Sequence, residues 1–118
     1  MILVDTSVWI HHFRQGDEKL RVLLEDGEVL MHEAVVGELA CGTLHDRSHV
    51  LKYLKSLPSV SRTDFDETLF VIESRRLWGK GIGWLDAQLL ASALLGGCKL
   101  LTYDKRLHEV SAGLHLAA

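Results

Sequence analysis

Four acidic residues in this 118-residue sequence stand in apolar company. Asp5 is the only charge in MILVDTSVWI, and Glu38 is the only charge in AVVGELACG (34–42). Its helical neighbours three and four positions away are Ala34, Val35, Cys41 and Gly42. Asp86 is the only charge from Ile82 to Cys98, and Asp104 closes the run LLTY. A carboxylate in such surroundings costs on the order of several kcal/mol unless a cation or hydrogen bonds compensate. No lysine or arginine recurs at helical spacing beside Glu38 or Asp86. One shared divalent cation would offset all four, and four hard oxygen ligands suit Mg²⁺ or Mn²⁺ rather than zinc. The other acids keep polar or charged company, as in Asp17–Glu18, Glu25–Asp26 and Asp66–Glu67.

Taken singly, Asp5, Asp86 and Asp104 each fall near a helix start, where an aspartate caps or complements the dipole. Glu38 lies mid-helix, where capping does not apply; pointing at solvent is its plain alternative. The combination says more. Asp5 and Asp104 end predicted strands, and open α/β sheets bind ligands along that edge. Asp86 opens a helix that leads through Gly96–Gly97 into the strand ending at Asp104, so one α-turn-β unit delivers both. Thr6 and Ser7 follow Asp5 at a helix start, placed either to hold a carboxylate or phosphate oxygen or to cap the helix. Cys41, His45 and His49 have a spacing zinc can use on one continuous helix, but Gly42 and the polar HDRS stretch predict a break. His11 and His12 are adjacent and face different ways.

The elements that must position these residues follow from periodicity. Residues 2–5, 28–31 and 99–103 read as short buried strands, and 113–116 as a weak one. Helices are predicted after Thr6–Ser7, over 17–26, from Ala34 to about Leu44, over 47–57 up to Pro58, and over 84–95 up to Gly96–Gly97. Thr63 with Asp66 resembles a capping box, opening a helix through about Trp78. Residues 79–83 (GKGIG) are a loop, and a short helix follows Asp104. Short strands separated by helices imply an α/β sandwich with a mostly parallel sheet.

With 47% hydrophobic and 25% charged residues and a single proline, the chain is globular, and it reads as one domain over 1–118. Cys41 and Cys98 each sit in an apolar run and read as buried free thiols in a reducing compartment. The N-terminal run has no basic n-region, so it is not a signal peptide, and no stretch approaches a membrane span. A cytoplasmic protein is expected. Net charge is −3, which does not announce a nucleic-acid binder. Setting the four isolated acids aside leaves the remainder close to neutral.

Asp5 in ILVDTS, Glu38 in VVGELACG, Asp86 in WLDAQLLASAL and Asp104 in LLTYDKRL, in that order, resemble the PIN-domain ribonucleases, most of all the VapC toxins of toxin–antitoxin pairs. The likeness covers essentially the whole chain. It implies a PIN-like sandwich, a mostly parallel central sheet of about five strands flanked by helices, with Asp5 on a central strand. It also implies Mg²⁺- or Mn²⁺-dependent endonuclease cleavage of RNA, a homodimer, and inhibition by a cognate antitoxin whose tail fills the groove. On this reading Asp5, Asp86 and Asp104 coordinate metal, and Glu38 binds it through water or orients the attacking water. Arg14, Arg75, Arg76, Lys80, Lys105 and Arg106 become candidates for holding RNA, with Trp84 for stacking; Lys105 and Arg106 rank first because they adjoin Asp104.

Two other classes compete. A phospho-acceptor receiver domain has similar length, with Lys105 in the part of its late lysine, but it needs an acid after a middle strand, and residues 47–63 contain none. A haloacid-dehalogenase-type phosphatase wants a second aspartate where this chain has Ser7. The remaining rival is a PIN-like fold that only binds a partner, against which four intact acids speak.

Overall fold

Strand β1 (Ile2–Val4) is three apolar residues long, and its two neighbours are as brief: β2 (Val29–Leu30) and β3 (Lys99–Leu101). In a computed structural model describing all 118 residues they form a parallel sheet in the order β2-β1-β3. Ile2 and Leu3 pair with Val29 and Leu30 on one side; Ile2, Leu3 and Val4 pair with Lys99, Leu100 and Leu101 on the other. Parallel neighbours need crossovers, and helices supply them. Helices α1 (Thr6–Gln15) and α2 (Glu18–Glu25) join β1 to β2, while α3 (Glu33–Cys41), α4 (Arg47–Ser56), α5 (Phe65–Arg75) and α6 (Trp84–Gly96) lead from β2 to β3. Helix α7 (Lys105–Gly113) follows β3.

The sheet has three strands, not the five expected. The outer two positions are reduced to single parallel bridges, Met31 with Ser59 and Leu100 with Ala117. Each is pinned by a pair of backbone hydrogen bonds: Met31 N–H to Pro58 and Val60 N–H to Met31, then Leu100 N–H to Leu116 and Ala118 N–H to Leu100. The predicted strand at 113–116 fails because α7 keeps Gly113 and the chain then turns at His115, whose φ is +59°.

Helix boundaries shift for local reasons. The capping box of α5 is Asp64 with Glu67, one residue later than predicted; the Thr63 hydroxyl bonds Thr68 instead. The helix stops at Arg75, three residues short of Trp78, because Arg76 turns left-handed. Helix α3 stops at Cys41, and the Arg47 guanidinium donates to the carbonyls of Ala40 in its last turn and Gly42 just beyond it. Cys41 and His49 therefore lie on different helices and the zinc spacing has no common face. Cys41 is also exposed, contrary to expectation, while Cys98 is buried; both are free.

One apolar cluster holds the layers together. Leu3 and Val4 of the central strand, Val8 and Trp9 of α1, Leu89 and Leu90 of α6 and Leu107 of α7 are all fully buried in it. Burying each large apolar side chain contributes roughly 1.5–3 kcal/mol. Helix α6 buries Ala87 and the whole run Leu89–Ala93, which explains why its sequence is apolar all round. No helix is long and apolar enough to cross a membrane.

Candidate metal centre

Strands β1 and β3 are adjacent and parallel, so the residues just past their carboxyl ends meet at one edge. Asp5 donates its backbone N–H to Leu101, which extends the sheet by one bond. It is the residue before α1, yet its carboxylate caps nothing. Instead Oδ2 accepts from Ser7 Oγ at 2.8 Å and from Thr102 Oγ1 at 2.7 Å, leaving Oδ1 without a protein donor. Asp5 is only 6% exposed. An acid so placed belongs either to a cation or to a buried network, and its neighbours are further acids.

Glu38 comes from α3, on the far side of α1. Thr6 Oγ1 reaches across to donate to its Oε1 at 2.9 Å. Burial raises the Glu38 pKa, and the charges of Asp5 and Asp86 push it the same way against the Thr6 bond. Asp86 lies in the first turn of α6, where Oδ2 accepts from the Gly83 N–H at 3.2 Å. Its pKa is also raised, first by burial and then by Asp5 and Asp104, against that one bond. Asp104 caps α7, accepting from the Leu107 N–H at 3.0 Å. Asp5, Glu38 and Asp86 thus share one field, and Asp104 acts on it through Asp86.

None of the five ion pairs in the molecule includes any of these four acids. Nor do any three His, Cys, Asp or Glu side chains, as they stand, close into a group that could hold a metal ion. Like charges repel, and each outer carboxylate takes the nearest hydroxyl or backbone donor. The donor set itself fits a hard divalent cation: oxygen only, uncompensated by Lys or Arg, with Oδ1 of the buried member unengaged. Rotation of the Glu38, Asp86 and Asp104 side chains would have to complete such a site.

Thr6 and Ser7 both hold carboxylate oxygens. Lys105 and Arg106 are exposed at the start of α7 beside Asp104 and form no ion pair; the Arg106 side chain lies over Gly81 of the GKGIG loop. There φ is +79°, so the loop needs glycine for its backbone, while the exposed Arg106 side chain could move aside from a Cβ. Arg14, Arg75, Arg76 and Lys80 are likewise exposed and unpaired. Trp84 is exposed and packs against Phe65, their rings 5.4 Å apart. Beyond Glu38 a groove of about 480 Å³ runs between α1, α3 and α4, lined by Ile10, Phe13, Arg14, Leu39 and Val50 among others.

Sequence reasoning missed Thr102, whose hydroxyl also accepts from the Asp104 N–H at 3.0 Å. Its signal was a lone hydroxyl in an apolar strand, two residues before an acid. A second omission is Asp17, which its neighbour Glu18 makes look solvated. It is 5% exposed and accepts from the Leu20 N–H, His11 Nδ1 and the Tyr103 hydroxyl. Burial alone would raise its pKa; the bonds from Tyr103, Leu20 and His11, with the His11 charge, outweigh that and leave it lowered. Burial and the Asp17 contact push the Tyr103 phenol up to about 12.

The PIN domain family model matches residues 2–113. Ribonuclease VapC32 of Mycobacterium tuberculosis is 49% identical over 113 residues, covering 95% of this chain and 91% of that protein. Among solved structures, FitAcB from Neisseria gonorrhoeae superposes with a TM-score of 0.67 at 21% identity, over 95% of this chain and 94% of its own. PAE2754 from Pyrobaculum aerophilum gives 0.64 at 21% identity, over 95% and 80%. These two likenesses speak for the fold.

Proposed function

This chain belongs to the PIN-domain family, and from that premise we propose that it is a divalent-metal-dependent endoribonuclease, the toxin of a toxin–antitoxin pair. The reading is carried by one observation: buried Asp5 sits among three further acids, none neutralised by lysine or arginine. Residues 1–118 act as a single nuclease domain around one core.

Asp5 would be the central ligand, its Oδ1 being unengaged while Ser7 and Thr102 hold the other oxygen. Asp86 and Asp104 would complete the coordination, and Glu38 would join through water or orient the attacking water. A bound Mg²⁺ or Mn²⁺ supplies Lewis acidity to the phosphate and lowers the pKa of water. Thr6 fixes one Glu38 oxygen, which would leave the other to accept the proton of the attacking water. Lys105 and Arg106 hold RNA phosphates next to Asp104, as positioning contacts without sequence information.

An antitoxin segment is the partner that suits the groove beyond Glu38, since occupying it would bring peptide to the rim of the site. A homodimer and a cytoplasmic setting belong to the same reading.

Asp5→Asn tests the proposal. Removing a metal ligand should reduce Mg²⁺-dependent cleavage of total RNA at least about 100-fold, the upper end of what outer partners cost. The metal-free melting temperature should stay near wild type. Full activity in that variant, or undiminished wild-type activity in EDTA, would remove the mechanism.

A further inference from the structure

Asp17 does more than cap a helix. An N-cap at α2 needs one oxygen, and Oδ1 meets it by accepting from the Leu20 N–H at 2.8 Å. The other oxygen, Oδ2, takes the Tyr103 hydroxyl at 2.6 Å and His11 Nδ1 at 2.8 Å. The His11 and Tyr103 rings meet edge to face, 5.6 Å apart. Tyr103 is the middle residue of the three-residue link between β3 and α7.

Apart from the bonds by which Asp104 caps α7, from the Leu107 and His108 N–H groups, every other polar tie of that link runs back to Asp5. Thr102 Oγ1 donates to the Asp5 carboxylate and accepts from the Asp104 N–H. The Tyr103 N–H donates to Ser7 Oγ, which itself donates to Asp5. The bonds on Thr102 and the Tyr103 N–H end on a ligating carboxylate and would loosen whenever that carboxylate moved to take a cation. The Tyr103–Asp17 bond is its one side-chain anchor outside the centre.

We infer that Asp17 and Tyr103 are positioning residues: the hydroxyl–carboxylate clasp holds the Thr102–Asp104 link so that Asp104 and Asp5 are presented together to the divalent cation. Ligands fixed in advance by outer partners bind metal more tightly than ligands that must be ordered on binding. The inference rests on the metal-dependent reading of the site and adds residues beyond the four acids.

The test is calorimetric titration of the metal-free full chain with Mn²⁺, beside cleavage kinetics. Tyr103→Phe keeps the ring and removes the hydroxyl; Asp17→Asn keeps a capping oxygen and removes the charge. Each should weaken Mn²⁺ binding about 10-fold, the range seen for outer partners of metal ligands. kcat should fall while the KM for RNA holds. The double variant should match either single one, since both cut the same bond. Leu23→Ala, on half-buried α2 surface away from the clasp, controls for stability: it should lower the melting temperature and leave Mn²⁺ affinity unchanged.

Wild-type affinity in Tyr103→Phe would overturn the clasp alone, as would an equal loss in Leu23→Ala. A flat titration of the wild-type chain would overturn the metal reading and the clasp with it.

Discussion

Asp5 and Asp17 are both buried acids immediately before a helix, yet the chain surrounds them with opposite company. Around Asp17 are donors: a backbone N–H, an imidazole and a phenol, distributed over both oxygens. Around Asp5 are two hydroxyls on a single oxygen and then carboxylates. One acid is settled by the protein; the other shares an excess of negative charge that the protein leaves uncompensated. On the proposed reading, burial does not separate structural from functional acids. The supply of donors would.

Removing either acid should break the comparison most sharply, in opposite senses. Asp17→Ala strips the cap and orphans the buried Leu20 N–H, so chemical denaturation should register a loss of about 1–3 kcal/mol. Asp5→Asn relieves repulsion and should lose activity without losing stability. If Asp5→Asn unfolded as readily as Asp17→Ala, the two would be the same kind of residue.

Adding the cation is the next largest effect. At about 100 times its dissociation constant, Mn²⁺ should stabilise the wild-type chain by about 2.7 kcal/mol, read as a rise in melting temperature. Asp5→Asn should show almost none of that rise.

Titration should separate the regions by sign. A lowered pKa at Asp17 means stability that is complete above the ordinary carboxylate range and lost as pH falls through the folded value. Raised pKa values at Glu38 and Asp86 mean the reverse: the metal-free fold gains stability as pH falls through their folded values toward the ordinary range. Glu38→Gln should consequently melt higher than wild type at neutral pH, with the difference closing on acidification. A difference that widened in acid would reverse the assignment.

The smallest effect lies at the rim. Replacing Lys105 and Arg106 by alanine should weaken RNA binding and reduce the salt slope by roughly 1 for each phosphate no longer neutralised. An unchanged slope would remove them from the RNA surface.

Much of this arrangement was legible in the residues, and the parts that were not share a cause. Isolated acids could be picked out because their neighbours in sequence are also their neighbours on a helix, as Ala34, Val35 and Cys41 are for Glu38. Asp17 escaped because Glu18 beside it suggested solvent, while the Tyr103 that buries it lies 86 positions away. Thr102 escaped likewise, since its partner Asp5 is 97 positions away. The α5 cap slipped by one because Thr63–Asp66 and Asp64–Glu67 carry the same signature, and only packing of Thr63 against Thr68 decides between them. The apolar run around Cys41 misled because that residue ends its helix and faces outward.

The pairing of β1 with β3 sets an order of assembly. A ribosome makes Asp5 well before the hydroxyl that holds it, since Thr102 emerges 97 residues later with Asp104 just behind. Contacts of such long sequence separation are slow to form. On the metal-dependent reading, a polypeptide that stops short of Thr102 carries three of the four acids and no finished edge, and should not cleave RNA.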